Sequence, residues 1–242
     1  MAVLTESQTK KIYFDIIGGF PPSKILKELK DYNGEEQVCI ACTQLDSHHA
    51  YIGRSKSDLK QILREWVEFL TSNTTAIKAL HFNTRVPQEL FDAACCQKNL
   101  EELRFKWGGY SDLSALGKLS KLKFLYIGQG ASVQDITVLG RMKNLVVLDI
   151  IGFKKIDDYS TLAALSSLEQ LVITGPTLGR TPMKNLEFLR EMPNLRSVLI
   201  NSVSLGTKYT SKDVENLRAS LPNLHDIGDC LSKLVAKGMK KK

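Results

Sequence analysis

The stretch NLRSVLI, residues 194–200, contains the pattern that decides the fold: a leucine, two free positions, an aliphatic residue, one free position and a second aliphatic residue. The pattern recurs as AIKALHF at 76–82, NLEELRF at 99–105, KLKFLYI at 121–127, NLVVLDI at 144–150 and SLEQLVI at 167–173. Successive copies start 23, 22, 23, 23 and 27 residues apart, and PNLHDIG adds one more copy 29 residues later. Self-similarity at about 20–29 residues is typical of a solenoid with one strand per coil.

Two apolar spacings alternate along these copies. Inside each copy the aliphatic residues alternate with other residues, as at Leu148 and Ile150, which predicts a strand with one buried face. Between copies an apolar residue recurs at every third position, as at Leu113, Leu116 and Leu119, which favours a short 3₁₀ or tight α-helix. One such unit cannot bury its own leucines, so we expect consecutive coils to stack and share one core.

This pattern resembles the leucine-rich repeat family, LxxLxLxx(N/C)xL, and its short units look like the internalin-like, phosphatase-regulator-like subclass. The resemblance covers about residues 76–228 and implies an α/β fold, a leucine-rich repeat solenoid whose curved parallel sheet carries short helices on its convex side. The family places an asparagine near the ninth position, where it bonds the turns of neighbouring coils. Here that position holds Arg85, Gly108, Gly130, Phe153, Pro176 and Val203. The loops must therefore satisfy their backbone groups in another way.

The two ends of the chain differ from the repeats and predict caps. Residues 1–75 are expected to form an N-terminal α/β cap or small subdomain, 76–229 the solenoid, and 230–242 a C-terminal cap with a basic tail. In the cap we predict strands over 10–19 and 35–44, a helix over 23–34 and an amphipathic helix over 55–73. A longer final helix is predicted within 209–224, with Thr210 or Ser211 as its N-cap.

Composition and charge favour a soluble cytoplasmic protein. The start MAVLTESQTKK lacks the apolar run of a secretory signal, and no stretch reaches the length of a membrane span. The five cysteines are odd in number and sparsely spaced, which suits a reducing compartment. The net charge of +7 is concentrated near the C-terminus, where five lysines follow residue 230. Such a tail is usually solvated, so nucleic acid is not expected to be the main partner.

The sequence contains few groups that could carry chemistry. Cys39 and Cys42, followed by His48 and His49, could form a zinc site, but residues three apart on a strand point to opposite faces and no second pair follows. Cys95-Cys96 could supply a nucleophile only with a histidine nearby and an electropositive setting, so packing is the favoured interpretation. The chain holds no G-x-S-x-G motif or phosphate-cradle motif. We therefore predict no enzyme, no catalytic residue, no metal and no cofactor.

The strand positions that alternate with the buried leucines should form the open, concave face of the sheet. Arg104 and Tyr126 fall there, and arginine and aromatic side chains dominate protein interfaces. Contiguous apolar residues on the same face also indicate a contact site. The predicted partner-binding residues are His81, Glu102, Arg104, Lys106, Trp107, Phe124, Tyr126, Asp149, Ile151, Val172 and Leu199. The alternative is that a loop or the cap helix of the same chain covers the apolar strip.

The function predicted from these features is non-enzymatic: a module that binds a protein partner through the concave face of the solenoid. Its size fits an adaptor, a regulator of an enzyme or a toxin-neutralising immunity protein. Two alternatives stay open: an effector or enzyme whose activity lies in residues 1–75, and a nucleic-acid-associated protein that uses its basic tail. The sequence contains no pattern from which the partner or the oligomeric state could be inferred.

Overall fold

Each copy of the repeated pattern forms a strand in a computed structural model, which describes residues 2–9 and 24–227. Nine of its strands form one sheet whose order follows the chain, and every pairing between described strands is parallel. They are β1 (Ile25–Leu26), β2 (Gln37–Ile40), β3 (Ala79–Val86), β4 (Glu102–Gly108), β5 (Phe124–Ile127), β6 (Val147–Ile151), β7 (Gln170–Thr174), β9 (Ser197–Asn201) and β11 (Asp226–Ile227). A separate two-stranded sheet pairs β8 (Thr181–Met183) with β10 (Val203–Leu205).

Short helices connect the strands. The α-helices among the described residues are α1 (Glu6–Thr9), α2 (Lys56–Ser72), α3 (Gln88–Ala94) and α4 (Ser211–Ala219). The 3₁₀ helices are Leu29–Asp31, Leu45–Ser47, His49–Tyr51, Ser114–Lys118, Leu139–Arg141, Ser160–Ala164 and Glu187–Glu191. From Ser114 onward the connections are 3₁₀ helices up to α4, as the spacing of three predicts.

The predicted leucine-rich repeat solenoid and its α/β class are confirmed by the strand register. Leu125, Leu148 and Leu171 lie opposite one another on successive strands, and each is fully buried. The same row continues in both directions, so that one hydrophobic core runs from Leu26 to Leu221. The pattern recurs in the sequence because each copy adds one layer to this core.

A ladder of asparagines joins the coils at a position different from the one the family pattern uses. The side-chain amides of Asn144 and Asn194 each donate to a backbone carbonyl of the preceding coil, at Ser120 and Ser166, over 2.7 Å. Asn99 and Asn223 make the equivalent bonds to Thr75 and Pro193, over 2.9 and 2.8 Å. These asparagines directly precede the first leucine of their copies, so the recurring Asn-Leu pair supplies the backbone partners that the loops require.

A second recurring contact starts the 3₁₀ helices. The carboxylates of Asp112, Asp135 and Asp158 each accept a hydrogen bond from the backbone N–H two residues later, over 2.8 Å. The bond lowers the pKa of Asp135 and of Asp158, because it stabilises the charged carboxylate. Asn185 holds the same position in the next coil, and its side-chain oxygen accepts the equivalent hydrogen bond from the Glu187 N–H over 3.0 Å. These turns therefore bend each coil from the sheet toward its helix.

The predicted helix over 23–34 is wrong. Ile25 and Leu26 instead form β1, which pairs with Cys39 and Ile40 of β2, and only one 3₁₀ turn follows. The helical pattern is overridden by tertiary contacts, because Leu26 is buried in the shared core and the indole N–H of Trp66 donates to the Lys27 carbonyl over 2.8 Å. The strand predicted over 10–19 lies outside the described residues.

The other end-of-chain elements follow the sequence closely. Helix α2 begins after a capping box formed by Ser55 and Asp58, and it buries Ile62, Trp66 and Leu70. Helix α4 begins after Thr210, which forms a second capping box with Asp213. Strands β1 and β2 fall inside the predicted cap and continue the main sheet, while the domain boundaries at 75 and 229 stay predictions.

Substitution of a core leucine is expected to be far more costly than the same substitution outside the core. Leu148 is 0% exposed, whereas Leu178 is 86% exposed in the loop before β8. We expect Leu148→Ala to lower the free energy of unfolding by about 2–5 kcal/mol, because it leaves a cavity between two coils. Leu178→Ala should change it by less than about 0.5 kcal/mol. Urea unfolding measures both, and similar midpoints for the two variants would contradict the shared core.

Gly128 should tolerate no side chain, because the neighbouring coil lies too close. A methyl group at Gly128 would lie 1.9 Å from the Lys106 carbonyl oxygen, whereas one at Gly117 would meet its nearest atom, on Val138, at 3.5 Å. We expect Gly128→Ala to destabilise the protein by at least about 1–3 kcal/mol and Gly117→Ala to be close to neutral. Thermal unfolding followed by circular dichroism compares the two, and a neutral Gly128→Ala variant would show that the coils can separate at this point.

Candidate functional site

The strand residues between the leucines form a second face of the sheet, opposite the shared core. Its central row follows the register of the strands and contains Cys39, His81, Arg104, Tyr126, Asp149, Val172 and Leu199. This second face is the one that the sequence predicts to be concave. The alternation of leucine with other residues therefore brings eight of the predicted partner-binding residues onto two adjacent rows, the central one and the row that contains Gln37 and Ala79.

The second face is more buried than a freely accessible surface. His81 is 1% exposed, Arg104 7%, Asp149 3% and Val172 2%. Lys106 is exposed. The partly buried residues are Glu102, Trp107, Phe124, Tyr126, Ile151 and Leu199. The alternative that another part of the chain covers the apolar strip therefore has support. Among the described residues, the segment Ala2–Thr5 is the part that lies there.

Arg104 and Tyr126 form the centre of the second face. They are register partners on β4 and β5, and the guanidinium carbon of Arg104 lies 4.7 Å from the centroid of the Tyr126 ring. A cation over an aromatic ring at this distance is attracted by the electron density of the ring face. The pair places a charged and an aromatic group side by side outside the leucine core.

His81 and Glu102 are also neighbours. The Nε2 atom of His81 lies 2.7 Å from a carboxylate oxygen of Glu102, which is within ion-pair distance when the histidine is protonated. The alignment of the two groups does not meet hydrogen-bond geometry. The pair joins β3 to β4 at the buried end of the second face.

Cys39 lies beside His81, and this proximity was not evident from the sequence. Burial raises the pKa of the Cys39 thiol to about 11, although the positive charge of Arg104 opposes the shift. Burial also raises the pKa of Cys42 to about 12 and that of Cys95 well above its usual value. Cys42 packs in the shared core, whereas Cys39 belongs to the second face. Nucleophilic chemistry needs the thiolate, so these thiols are held in the unreactive form.

Among the described residues, no three His, Cys, Asp or Glu side chains lie close enough together to hold a metal ion. Within residues 2–9 and 24–227, no helix is long and apolar enough to cross a membrane.

A row of alternating charges runs along the edge where the chain enters the strands. Glu36 pairs with Lys78 over 2.8 Å, Glu101 with Lys123 over 2.7 Å, and Glu169 with Arg196 over 3.0 Å. The hydrogen bond from Lys123 lowers the pKa of Glu101, because it stabilises the carboxylate. All of these residues except Glu36 directly follow the first aliphatic residue of their copies, so most of the row could have been found by aligning the copies.

The segment Ala2–Thr5 binds at one position of this charged row. The side chain of Leu4 is 4% exposed and packs with Val146, Val147, Phe124 and Tyr126 in a cluster separate from the shared core. Val146 is the uncharged member of the row, between Lys123 and Glu169. Val3 and Val146 line a groove of about 840 Å³, which continues along the charged edge.

Glu169 and Arg196 hold the backbone of this segment. The Glu169 carboxylate accepts hydrogen bonds from the backbone N–H groups of Val3 and Leu4, the second over 3.0 Å. The Arg196 guanidinium donates to the Leu4 carbonyl and to Glu169. The sequence did not predict a role for Leu4, Glu169 or Arg196, because nothing in the repeat pattern indicates a contact over 165 residues.

Comparisons with known proteins return structures and no sequence relatives. No protein-family model matches the chain, and no curated protein matches it. A Listeria monocytogenes internalin (inlF) is similar at 22% identity and a TM-score of 0.45, over 63% of this chain and 47% of the internalin. Internalin C2 of the same species is similar at 20% identity and a TM-score of 0.43, over 69% of this chain and 85% of internalin C2. A plant peptide hormone receptor, RGFR1 in complex with RGF2, is similar at 17% identity and a TM-score of 0.43, over 63% of this chain and 24% of the receptor chain.

The chain spans less than half of the inlF internalin, and these likenesses concern the fold alone. The leucine-rich repeat fold itself is established by the recurring pattern and by the parallel register of its strands.

Native Cys39 should react slowly with alkylating agents. Its pKa of about 11, against an ordinary value of 9.0, reduces the thiolate fraction at pH 8 by about 100-fold. We expect iodoacetamide to label Cys39 at least 100-fold more slowly in the native chain than in urea, as measured by peptide mass spectrometry. The sign follows from the raised pKa: the rate should still be rising with pH above 9. Equal rates in the two states would indicate an accessible thiol and would contradict the burial of Cys39.

Proposed function

We propose that the chain is a protein-binding module that holds a partner on the second face of its sheet. The observation that carries the proposal is the composition of this face at its centre. Arg104 lies over Tyr126, and next to them Phe124 and Val147 belong to an apolar cluster that is separate from the shared core. Stacking of the coils depends on the leucine rows, so this second cluster is not needed to hold the coils together.

The residue types and dimensions of the face suit a protein partner. Arginine and tyrosine are over-represented among the residues that contribute most to protein interfaces. The strands from β3 to β11, at about 4.8 Å each, extend over roughly 30 Å, enough for an interface of about 800 Å² on each partner. Lys106 is exposed and Trp107 half-buried at the strand ends. We infer that a partner meets these two residues first.

An adaptor, a regulator of an enzyme and a toxin-neutralising immunity protein all use such a face. The chemistry of the second face does not select among these three roles, because each requires the same kind of interface. The partner itself would select among them. The decisive experiment therefore identifies the partner and tests the surface at the same time.

The test is a pull-down from a lysate of the source cells with the wild-type chain and with the double variant Arg104→Ala/Tyr126→Ala. We expect the double variant to recover at least 10-fold less of the partner, because it removes the charged and aromatic centre of the face. A matched control, Lys118→Ala/Arg141→Ala, changes two exposed residues on or next to the 3₁₀ helices, on the opposite side of the core. It should recover the partner as the wild type does.

Thermal unfolding of all three chains determines whether a loss of partner binding is caused by unfolding of the variant. If the double variant melts early, the single variant Lys106→Ala replaces it, because the exposed Lys106 lies two residues after Arg104 on the same strand. Equal recovery of the partner by wild type and by the surface variants would rule out the second face as the binding surface.

A further inference from the structure

We propose that Glu169, Arg196 and the pocket around Val146 form a subsite for an extended peptide, and that the chain's own segment Ala2–Thr5 is an occupant that a partner peptide displaces. This inference rests on the proposed function and gives it a ligand class: an extended peptide with one aliphatic side chain. The peptide subsite comprises Glu169, Arg196, Val146, Val147, Phe124 and Tyr126.

The peptide subsite recognises main-chain groups. Glu169 accepts from two successive backbone N–H groups, and Arg196 donates to the carbonyl that follows them. The two side chains also pair with each other over 3.0 Å, with only 7% of Glu169 and 12% of Arg196 exposed. Charge-assisted bonds of this kind are stronger than neutral ones, and main-chain groups are common to all peptides. The pair can therefore hold any extended segment without reading its sequence.

The selectivity of the peptide subsite depends on one side chain of the bound peptide. Leu4 is 4% exposed in the pocket, whereas its neighbour Val3 is 54% exposed. The pocket walls are Val146 and Val147 with the rings of Phe124 and Tyr126. Such walls accept an aliphatic group and disfavour a polar one, which would lose its hydrogen bonds to water. A matching ligand thus needs a leucine-like side chain at one position, and an arbitrary residue before it.

The occupant is positioned to be displaced. The segment Ala2–Thr5 adds no strand to the sheet, and its apolar cluster is separate from the shared core. Strands β6, β7 and β9 bond one another whether or not the segment is present. A tethered segment competes at an effective concentration in the millimolar range, so a larger partner surface can outcompete it. Its departure exposes Tyr126 and Phe124, which belong to the face that binds the partner in the proposed function.

The test uses the full-length chain with the substitution Leu4→Asn, which empties the pocket, and Val3→Asn as its matched control. The probe is an acetylated, fluorescently labelled peptide AVLTESQT, residues 2–9 of the chain, followed by fluorescence anisotropy. We expect the Leu4→Asn chain to bind the probe at least 10-fold more tightly than the wild type or the Val3→Asn chain, in which the native segment occupies the subsite. Binding by the Leu4→Asn chain that is no tighter than by the wild type overturns the proposal.

Two further arms assign the binding to the peptide subsite. Adding Glu169→Gln to the Leu4→Asn chain should weaken probe binding at least 10-fold, because the amide cannot accept both N–H groups with a full charge. A probe with asparagine in place of its leucine should also bind at least 10-fold more weakly. Unchanged binding in either arm places the probe elsewhere and overturns the proposal. A cooperative urea unfolding transition in both Leu4→Asn and Val3→Asn establishes that the chain remains folded.

The outcome is separable from that of the pull-down. If the probe binds as expected but Arg104→Ala/Tyr126→Ala recovers the partner fully, the subsite is a genuine peptide site and the proposed function is wrong. If the double variant loses the partner while the Leu4→Asn chain binds the probe no better than wild type, the proposed function stands and the displaced segment is refuted.

Discussion

Leucines that no single coil can bury are the constraint on which the rest of this structure depends. Leu125, Leu148 and Leu171 lie opposite one another on adjacent strands, and each is fully buried. The strands must then run parallel and in chain order, so each coil needs a connection that returns to the starting edge. The 3₁₀ helices and the asparagine bonds make that return short and repeatable. The second face exists because strand side chains alternate and only one set serves the core.

The repeat could be read from the sequence because its signal is local and periodic. Strands β3 to β7 and β9 follow the copies, and helices α2 and α4 follow their amphipathic pattern and capping residues. The segment over 24–34 could not be read in this way. Its side chains have helical spacing, yet β2 offers Ile25 and Leu26 a strand partner, and a pairing between distant residues is invisible to a local pattern.

In the candidate site too, features within the repeat pattern were predictable and contacts between distant residues were not. Arg104 and Tyr126 were predicted as neighbours on one face, because the position of each within its copy is the same. The contact of Tyr126 with Leu4 was not predictable, since the two residues are far apart in the sequence. The contact between Leu4 and Glu169 joins residues 165 positions apart, and nothing in AVLTE indicates such a contact. The charged row that receives it was visible in the copies, although its role was not.

The alternating row also limits how such a stack can grow. Each acid on the row has a base on the adjoining coil, from Glu36 to Lys123 and again at Glu169 and Arg196. Duplication of a single coil would bring two like charges to within one strand spacing, which is unfavourable at a partly shielded edge. Duplication of two coils together would preserve the order of signs. Adding coils two at a time therefore avoids like-charge contacts along this row. The neutral Val146 lies between one set of paired charges and the next.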